Sequence, residues 1–245
     1  EATLPMIDQS LTFYTGAYHF IGDDGKLQRL PLPESADLAG FYTGRILFTL
    51  RDTWDMQGQI FPQGALLAID AAAFRVAGKL PRIETIYTPD DRTSIEGITI
   101  SRSGLYVSLL QNVKGRILRF GVDTKAGKWS AEPLPLPPNG TVSLSAANPH
   151  SSTVLVNYED HITPDQLSEY NAGANVLTLL KSLPVRFRAD GLQVSQHIAR
   201  SADGEAVPYF VIHRKGLQLD GRTPTILYGY GGFEISLKPS YSATI

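Results

Sequence analysis

The stretch Gly78-Lys79-Leu80-Pro81-Arg82-Ile83-Glu84-Thr85-Ile86 decides the fold, because versions of it recur along the chain at intervals of roughly 50 residues. Each version begins with a glycine turn and continues as an extended run that tolerates proline. The other copies begin at Gly25, at Gly127 and, more loosely, at Gly173. Strand units repeating at this length are typical of the blades of a β-propeller.

Each copy follows other predicted strands. A short strand comes directly before it, at residues 18–21, 65–70, 116–120 and 166–170. Runs rich in β-branched and aliphatic residues come earlier still, at 44–50, 104–110 and 153–158. Proline removes a donor from a strand ladder, so the proline-bearing copies are predicted to be the outermost strands of their sheets. No amphipathic helix is apparent, and the unit is predicted to contain three or four strands.

We therefore predict an all-β fold for residues 1–186, a partial β-propeller of about four blades of four-stranded antiparallel sheet. A β-sandwich also has short strands at regular spacing and is the alternative, but its strands do not recur as whole units. The visible units fall near the lower limit of the roughly 4 to 8 blades that close a ring. We expect further blades before Glu1.

A longer insertion at residues 51–63 interrupts one unit. It could line a tunnel mouth and touch substrate. Packing of the loop on its neighbour through Trp54 and Phe61 is the simpler expectation, because large aromatic side chains bury apolar surface.

The repeat stops near Leu183-Pro184, and the pattern changes from there. Residues 190–200 alternate as a single strand, and Asp203-Gly204 predicts a hairpin turn before a second alternating strand. We place a domain boundary between residues 184 and 190, with a second domain over residues 187–245.

Within this second domain, Leu227-Tyr228-Gly229-Tyr230-Gly231-Gly232-Phe233 follows a strand-like run at residues 225–227. Glycine permits backbone conformations that other residues avoid, so the chain here can pass close to a reacting group. A tight turn with two packed tyrosine rings is the alternative interpretation.

Together with the run at residues 202–216, this motif resembles the prolyl oligopeptidase family of serine peptidases. The resemblance implies that the propeller is inserted into an α/β-hydrolase domain, which residues 187–245 begin. It implies that the Tyr230 hydroxyl donates a hydrogen bond to the oxyanion of the tetrahedral intermediate. It also implies that Phe233 contributes to the substrate pocket, with a weak preference for peptides cut after proline. Phe233 as an ordinary core residue is the alternative.

Serine peptidases with this fold need a Gly-x-Ser-x-Gly elbow, then an Asp and a His. No such elbow occurs in the sequence. We therefore expect all three triad members to lie beyond Ile245, and residues 1–245 alone to be inactive. The parent protein is expected to be a serine oligopeptidase whose propeller restricts access to short peptides. A non-catalytic propeller that serves as an interaction platform is the competing hypothesis.

Composition limits the classes of molecule that the chain is expected to bind. The net charge is −2 and no basic run stands out, which argues against nucleic-acid binding and a polybasic membrane anchor. The chain has no cysteine, so thiolate metal sites and disulfides are excluded within it. We predict no metal and no cofactor, and short peptides as the partners. The compartment, cytoplasm or periplasm, and the oligomeric state are left open.

The histidines are scattered, without the i, i+4 spacing of a metal-binding helix. Two of them, His197 and His213, fall on predicted strands, where we expect surface or hydrogen-bonded roles. The full set is His19, His150, His161, His197 and His213.

Overall fold

The computed structural model of the chain describes residues 5–22, 24–218 and 220–244, and its regular structure is almost entirely β. Further blades were expected before Glu1, and the catalytic triad was expected beyond Ile245. Both of these residues lie outside the described residues. The chain divides into two compact units. The first contains Glu1–Asp91 with Phe120–Ala131, and the second contains Arg92–Arg119 with Glu132–Ile245.

The first two sheets are antiparallel meanders. The first has the order β1-β2-β3 and the second β4-β5-β8-β9, while β6 and β7 form a separate small hairpin. The strands are β1 (Met6–Ser10), β2 (Gly16–Ile21), β3 (Leu27–Arg29), β4 (Ala36–Tyr42), β5 (Arg45–Leu50), β6 (Trp54–Met56), β7 (Gln59–Phe61), β8 (Leu66–Asp70) and β9 (Glu84–Tyr87).

Two further four-stranded sheets follow, with the orders β10-β11-β12-β13 and β14-β15-β16-β17, and then a two-stranded hairpin, β18-β19. Their strands are β10 (Thr93–Ser101), β11 (Gly104–Gln111), β12 (Lys114–Asp123), β13 (Lys128–Pro133), β14 (Thr141–Ala147), β15 (Val154–Glu159), β16 (Gln166–Asn171), β17 (Val176–Ser182), β18 (Leu192–Arg200) and β19 (Ala206–Arg214).

These sheets are the predicted blades, one of three strands and three of four, so the partial propeller and its blade count are confirmed. The glycine-led copies supply β3, β9, β13 and β17, each of which lies at an edge of its sheet, as the prolines predicted. The apolar runs supply β5, β11 and β15, which lie inside their sheets, and each is the most buried strand of its own sheet.

The first strand of each four-stranded blade carries a β-bulge at a corresponding position. The register shifts between Leu38 and Gly40 in β4, between Ile95 and Gly97 in β10, and between Leu144 and Ala146 in β14. A bulge bends a strand and increases its twist. The repeat therefore includes an irregularity as well as a strand order.

The expectation of no amphipathic helix was wrong at one place. Helix α1 (Ala71–Ala77) follows β8 directly and buries Phe74, whose ring lies 5.5 Å from that of Phe20. The Asp70 carboxylate caps the helix by accepting from the amide of Ala73 at 2.8 Å. Gly78 ends it in the left-handed region, with φ of 66°.

The insertion at residues 51–63 folds as the small β6–β7 hairpin. Trp54 pairs with Phe61 across it, with the ring centroids 5.7 Å apart, and Phe61 is buried. Trp54 also lies against Phe48 of β5. The packed loop is thus confirmed.

A buried ion pair ties together separated parts of the first unit. The Arg45 guanidinium donates to both carboxylate oxygens of Glu84, at 2.8 and 3.1 Å, and both side chains are nearly inaccessible. The same carboxylate accepts from the Trp129 indole at 2.8 Å, and Arg45 also donates to the carbonyl of Thr124. Since every charge here has partners, removal of one member leaves the other buried and unpaired.

Glu84→Ala is expected to lower the free energy of unfolding by about 3 to 5 kcal/mol, because it leaves the buried Arg45 charge without its partner carboxylate. Denaturant unfolding of the chain measures this change. The matched control is Glu34→Ala, since Glu34 pairs with Arg29 at 2.8 Å with both side chains about half exposed. The control should cost at most about 1 kcal/mol. Equal losses in the two variants would contradict the role assigned to the buried pair.

Candidate functional site

The hairpin β18–β19 precedes the candidate site along the chain. Its strands pair in continuous register from Leu192 opposite Arg214 to Arg200 opposite Ala206. Gly204 turns the loop with φ of 90°, and the Glu205 amide donates to the Asp203 carboxylate at 3.2 Å. The hairpin turn predicted from Asp-Gly is therefore confirmed.

Three contacts hold this hairpin to the third and fourth blades. Arg92 donates to the carbonyl of Ala206 at 3.2 Å. The Gln196 amide donates to the carbonyl of Asn112 at 2.5 Å. In addition, the ring of Phe210 lies 5.1 Å from that of His161, nearly edge-on. The hairpin thus has defined attachment points on the blades of its own compact unit.

The strand predicted at residues 225–227 does not form. Ile226 and Leu227 are among the most exposed apolar residues, with Leu227 96% exposed. A strand requires a neighbour for its backbone groups, and no described residue pairs with this run. Local β-propensity was therefore not sufficient.

Tyr230 and Phe233 both lie at the surface. Tyr230 is 50% exposed. A Cβ added at Gly232 would lie only 2.7 Å from the Tyr230 hydroxyl. Gly232 therefore permits the ring to fold back over the chain. No described residue makes a hydrogen bond with the Tyr230 hydroxyl, so this donor is available.

Phe233 is 92% exposed and takes no part in the core of the described residues. It lies in a single 3₁₀ turn, Gly232–Glu234, with φ of 55°. A left-handed conformation costs a residue other than glycine roughly 1 to 2 kcal/mol. The backbone is therefore strained at the residue for which the sequence predicted substrate contact.

After the turn the chain returns to the blades over residues 238–241, which we call the strap. Its first residue, Lys238, forms an ion pair with Glu96, the bulged residue of β10. Burial alone would raise the pKa of Glu96, but hydrogen bonds from Lys238 and Ser94 outweigh it and lower that pKa. The Thr141 hydroxyl donates to the carbonyl of the buried Pro239 at 2.6 Å.

Tyr241 ends the strap with three contacts. Its amide donates to the Glu159 carboxylate at 3.0 Å. Its hydroxyl accepts from the amide of Arg186 at 2.7 Å, and its ring stacks on Phe187 with the centroids 4.9 Å apart. The strap is thereby fixed both to blade four and to the segment that follows it.

The turn after β15 presents the surface on which the strap lies. The Asp160 carboxylate organises this turn by accepting from the amides of Ile162 and Thr163, at 2.8 and 2.7 Å. It also accepts from the Tyr158 hydroxyl at 2.8 Å. Burial, reinforced by that neighbouring carboxylate, raises the pKa of Tyr158. This tyrosine therefore acts as a hydrogen-bond donor.

His161 occupies the centre of this surface. Its ring contacts Phe210 of β19. Its Nε2 atom is buried and has no hydrogen-bond partner. Burial lowers the pKa of His161, although the charges of Asp160 and Glu159 and the nearby backbone of Ser240 act in the opposite direction.

The two histidines on strands have surface roles, as predicted. His197 stacks on Tyr209 and bonds the hydroxyl of Ser195 at 2.9 Å. His213 bonds the side chain of Gln193 at 3.0 Å. Across the described ranges, no group of three or more His, Asp or Glu side chains is arranged to hold a metal ion. No helix in the described part of the chain is long and apolar enough to cross a membrane.

Sequence reasoning identified Tyr230 and Phe233. It did not predict the contacts of the strap or the position of His161 in the fold. The strap has no pattern that predicts its contacts, because its partners lie far away in sequence. Lys238 and Glu96 are 142 residues apart, and Tyr241 and Glu159 are 82 apart.

The chain is similar to several peptidases. It is 36% identical over 245 residues to the uncharacterized peptidase y4nA of Sinorhizobium fredii, which covers 99% of this chain and 33% of the relative. It is 32% identical over 118 residues to a prolyl endopeptidase of Elizabethkingia miricola, covering 48% of this chain and 17% of that enzyme. No protein-family model matches the chain.

The fold is similar to that of a post-proline cleaving enzyme from Rickettsia typhi. The TM-score is 0.76 at 22% identity, and the match covers 98% of this chain and 35% of that structure. The chain therefore has the fold of the corresponding part of this enzyme. It spans about a third of the length of the curated relatives it matches over most of its length.

Gly140→Ala is expected to destabilise the blade-four surface, because an added Cβ would overlap the ring of Tyr158 and meet the carbonyl of Glu159. Overpacking of this kind costs about 1 to 3 kcal/mol, and denaturant unfolding measures it. Gly191→Ala is the control, since a Cβ there meets nothing within 4 Å. A loss at Gly191 as large as that at Gly140 would contradict the packing argument.

Proposed function

Because the chain belongs to the prolyl oligopeptidase family of peptidases, we propose that it forms part of a serine-type oligopeptidase that hydrolyses short peptides after proline. The observation that carries this proposal is the motif Tyr-Gly-Tyr-Gly-Gly-Phe, which is exposed and follows in sequence a hairpin bound to the blades. In this proposal residues 1–186 are the propeller, and residues 187–245 begin the catalytic domain.

Tyr230 is the proposed oxyanion donor. Attack of a serine on the scissile carbonyl creates a negative oxygen, and a donor already aimed at that oxygen lowers the barrier without reorganisation. Two features support the assignment: the hydroxyl has no partner among the described residues, and Gly232 leaves room for the ring. A free, half-exposed hydroxyl can turn toward a substrate, whereas one already bonded to the protein could not without losing that bond.

Phe233 is the proposed contact for the substrate side chain. Its exposed aromatic face offers apolar surface to a proline ring, and the strained backbone presents that face outward. Strain at an exposed residue is typical of sites where recognition sets the conformation. This supports a preference for proline next to the scissile bond.

The propeller is proposed to restrict access, so that only short peptides reach the site. The nucleophile, acid and base are proposed to lie outside these residues, which contain no Gly-x-Ser-x-Gly elbow. We expect the 245 residues alone to leave a peptide substrate intact. The full-length protein should react covalently with a fluorophosphonate, which labels activated serines. Absence of labelling would favour the non-catalytic platform.

In the full-length protein, Tyr230→Phe should lower kcat about 10²- to 10³-fold while KM changes little, because the donor acts only in the transition state. Steady-state kinetics on a short proline-containing peptide measure both constants. Tyr228→Phe is the matched control, since it removes the other hydroxyl of the motif and should leave kcat within about twofold. Full kcat in the Tyr230 variant would remove the role assigned to it.

Phe233→Ala should reduce the preference for proline over alanine before the scissile bond by roughly 10-fold, because the pocket loses an apolar face. The ratio of kcat/KM for two matched peptides measures this preference. Phe13→Ala provides the control, since Phe13 is equally exposed at 90% but lies on the β1–β2 turn. An unchanged ratio in the Phe233 variant would show that proline is recognised elsewhere.

A further inference from the structure

The segment that carries Tyr230 lies between the hairpin and the strap without packing of its own. Residues 221–231 are exposed throughout. A Cβ added at Gly229 or at Gly231, on either side of Tyr230, would meet nothing within 4 Å. The position of Tyr230 is therefore set by where the two ends of this segment are attached.

Both ends are attached to one short stretch, residues 183–191 between β17 and β18, which we call the connection. At the hairpin end, the Lys215 amide donates to the carbonyl of Gly191 at 2.8 Å. At the strap end, the Tyr241 hydroxyl accepts from the amide of Arg186 at 2.7 Å. The exposed segment is thus part of a loop that begins and ends on the connection.

We propose that Tyr241 is a positioning residue: it anchors the strap to the connection, closes this loop and so holds the Tyr230 hydroxyl within reach of a bound substrate. The catalytic part of this inference rests on the proposed function of Tyr230. The anchoring itself depends on the described contacts and is tested separately.

Two different parts of the Tyr241 side chain hold it in place. Its ring lies on that of Phe187, with the centroids 4.9 Å apart and the planes 12° apart. A stacked ring can still rotate about the stacking axis, but the bond from the Arg186 amide to the hydroxyl removes that freedom. The Tyr241 amide adds a third contact, to the Glu159 carboxylate at 3.0 Å. Both the position and the direction of the strap are therefore fixed at this residue.

The connection to which Tyr241 binds is itself held near both of its ends. The Leu183 amide donates to the carbonyl of Asp165 at 2.9 Å, directly before β16 of blade four. At the other end, the Lys215 ammonium donates to the carbonyl of Asp190 at 3.3 Å. The strap is thus anchored to an element that is attached to both blade four and the hairpin.

The other strap contacts do not close the loop. Lys238 pairs with Glu96, but both side chains are partly exposed, and pairs of this kind contribute little. The bond from the Thr141 hydroxyl to the Pro239 carbonyl is a single hydrogen bond to blade four. Of the strap contacts described above, those of Tyr241 alone reach the connection.

Release of Tyr241 would leave the loop attached to the connection at one end. A longer free segment has more positions open to it, so the Tyr230 hydroxyl would spend less time in the reactive one. A misplacement of about 1 Å at a reacting centre can cost up to about 10²-fold in rate. Because the hydroxyl is proposed to act in the transition state, the loss should fall on kcat rather than on KM.

The first experiment tests the anchor by hydrogen exchange of the Arg186 amide in the full-length protein. Tyr241→Phe removes the acceptor of this amide, so its protection should fall about 5-fold. The amide of residue 241 should keep its protection, because it donates to Glu159. Tyr209→Phe is the matched control, since Tyr209 stacks on His197. Unchanged protection of Arg186 in Tyr241→Phe would overturn the anchor.

The second experiment measures steady-state kinetics of the full-length enzyme on a short proline-containing peptide. Tyr241→Ala should lower kcat about 10-fold and change KM less than about threefold. Tyr241→Phe keeps the stack on Phe187 and should retain kcat within about threefold. Tyr209→Ala is the control and should leave kcat within about twofold.

A double-mutant cycle separates positioning from general support of the structure. In the Tyr230→Phe background, Tyr241→Ala should lower kcat by less than about twofold, because the hydroxyl that it positions is already absent. A purely structural role would cost the same factor in both backgrounds. Equal losses would therefore overturn the proposal.

The remaining outcomes are also decisive. If Tyr241→Ala does not fold, Phe187→Ala replaces it in the cycle, because it removes the stack and leaves the strap unchanged; it should show the same loss of kcat and the same dependence on Tyr230. Full kcat in Tyr241→Ala, with kcat reduced in Tyr230→Phe, would overturn the positioning role. If Arg186 loses protection as expected while Tyr230→Phe keeps full kcat, the anchor stands and the proposed oxyanion role fails.

Discussion

Burial of apolar side chains on one interior strand in each four-stranded blade is the constraint on which this structure depends. Leu47 of β5, Val107 of β11 and Val154 of β15 are completely inaccessible. Strands of this kind cannot face water, so each must pack against other sheets as well as pair within its own. In the second unit, Val154 and Val156 lie in one apolar cluster with Tyr106 and Ile117, so neighbouring blades share a core. Apolar contact of this kind makes the blades a platform on which a hairpin and a strap can be held.

The same constraint explains how much of the fold was predictable. Interior strands are apolar in sequence and outer strands tolerate proline, so a repeat of both gave the blade count and the strand order. Helix α1 was not predicted because it is only seven residues long, which is too short for a helical period to be recognised. Its signal was in the capping residues instead, with Asp70 before three alanines and Gly78 after the last turn. The run at 225–227 shows the opposite error, because propensity indicated a strand where none of the described residues pairs with it.

The candidate site was also predictable only in part. Tyr230 and Phe233 were found because a glycine-rich motif is local and its residues are contiguous. The surface that holds the segment could not be found, because it joins the strap to a turn and two strands that are distant in sequence. His161 had been judged as one of five scattered histidines, and only the fold shows that its ring lies against Phe210. Local sequence therefore predicts which groups are present, while the long-range contacts determine which of them act together.

The left-handed conformation of Phe233 has a consequence for stability and recognition together. Glycine would relax this backbone, since it adopts positive φ freely, but would present no ring. The exposed aromatic surface is thus maintained against both local strain and contact with water. Stability and recognition place opposite demands on this single position, so it is a point where gains in one property come at the expense of the other.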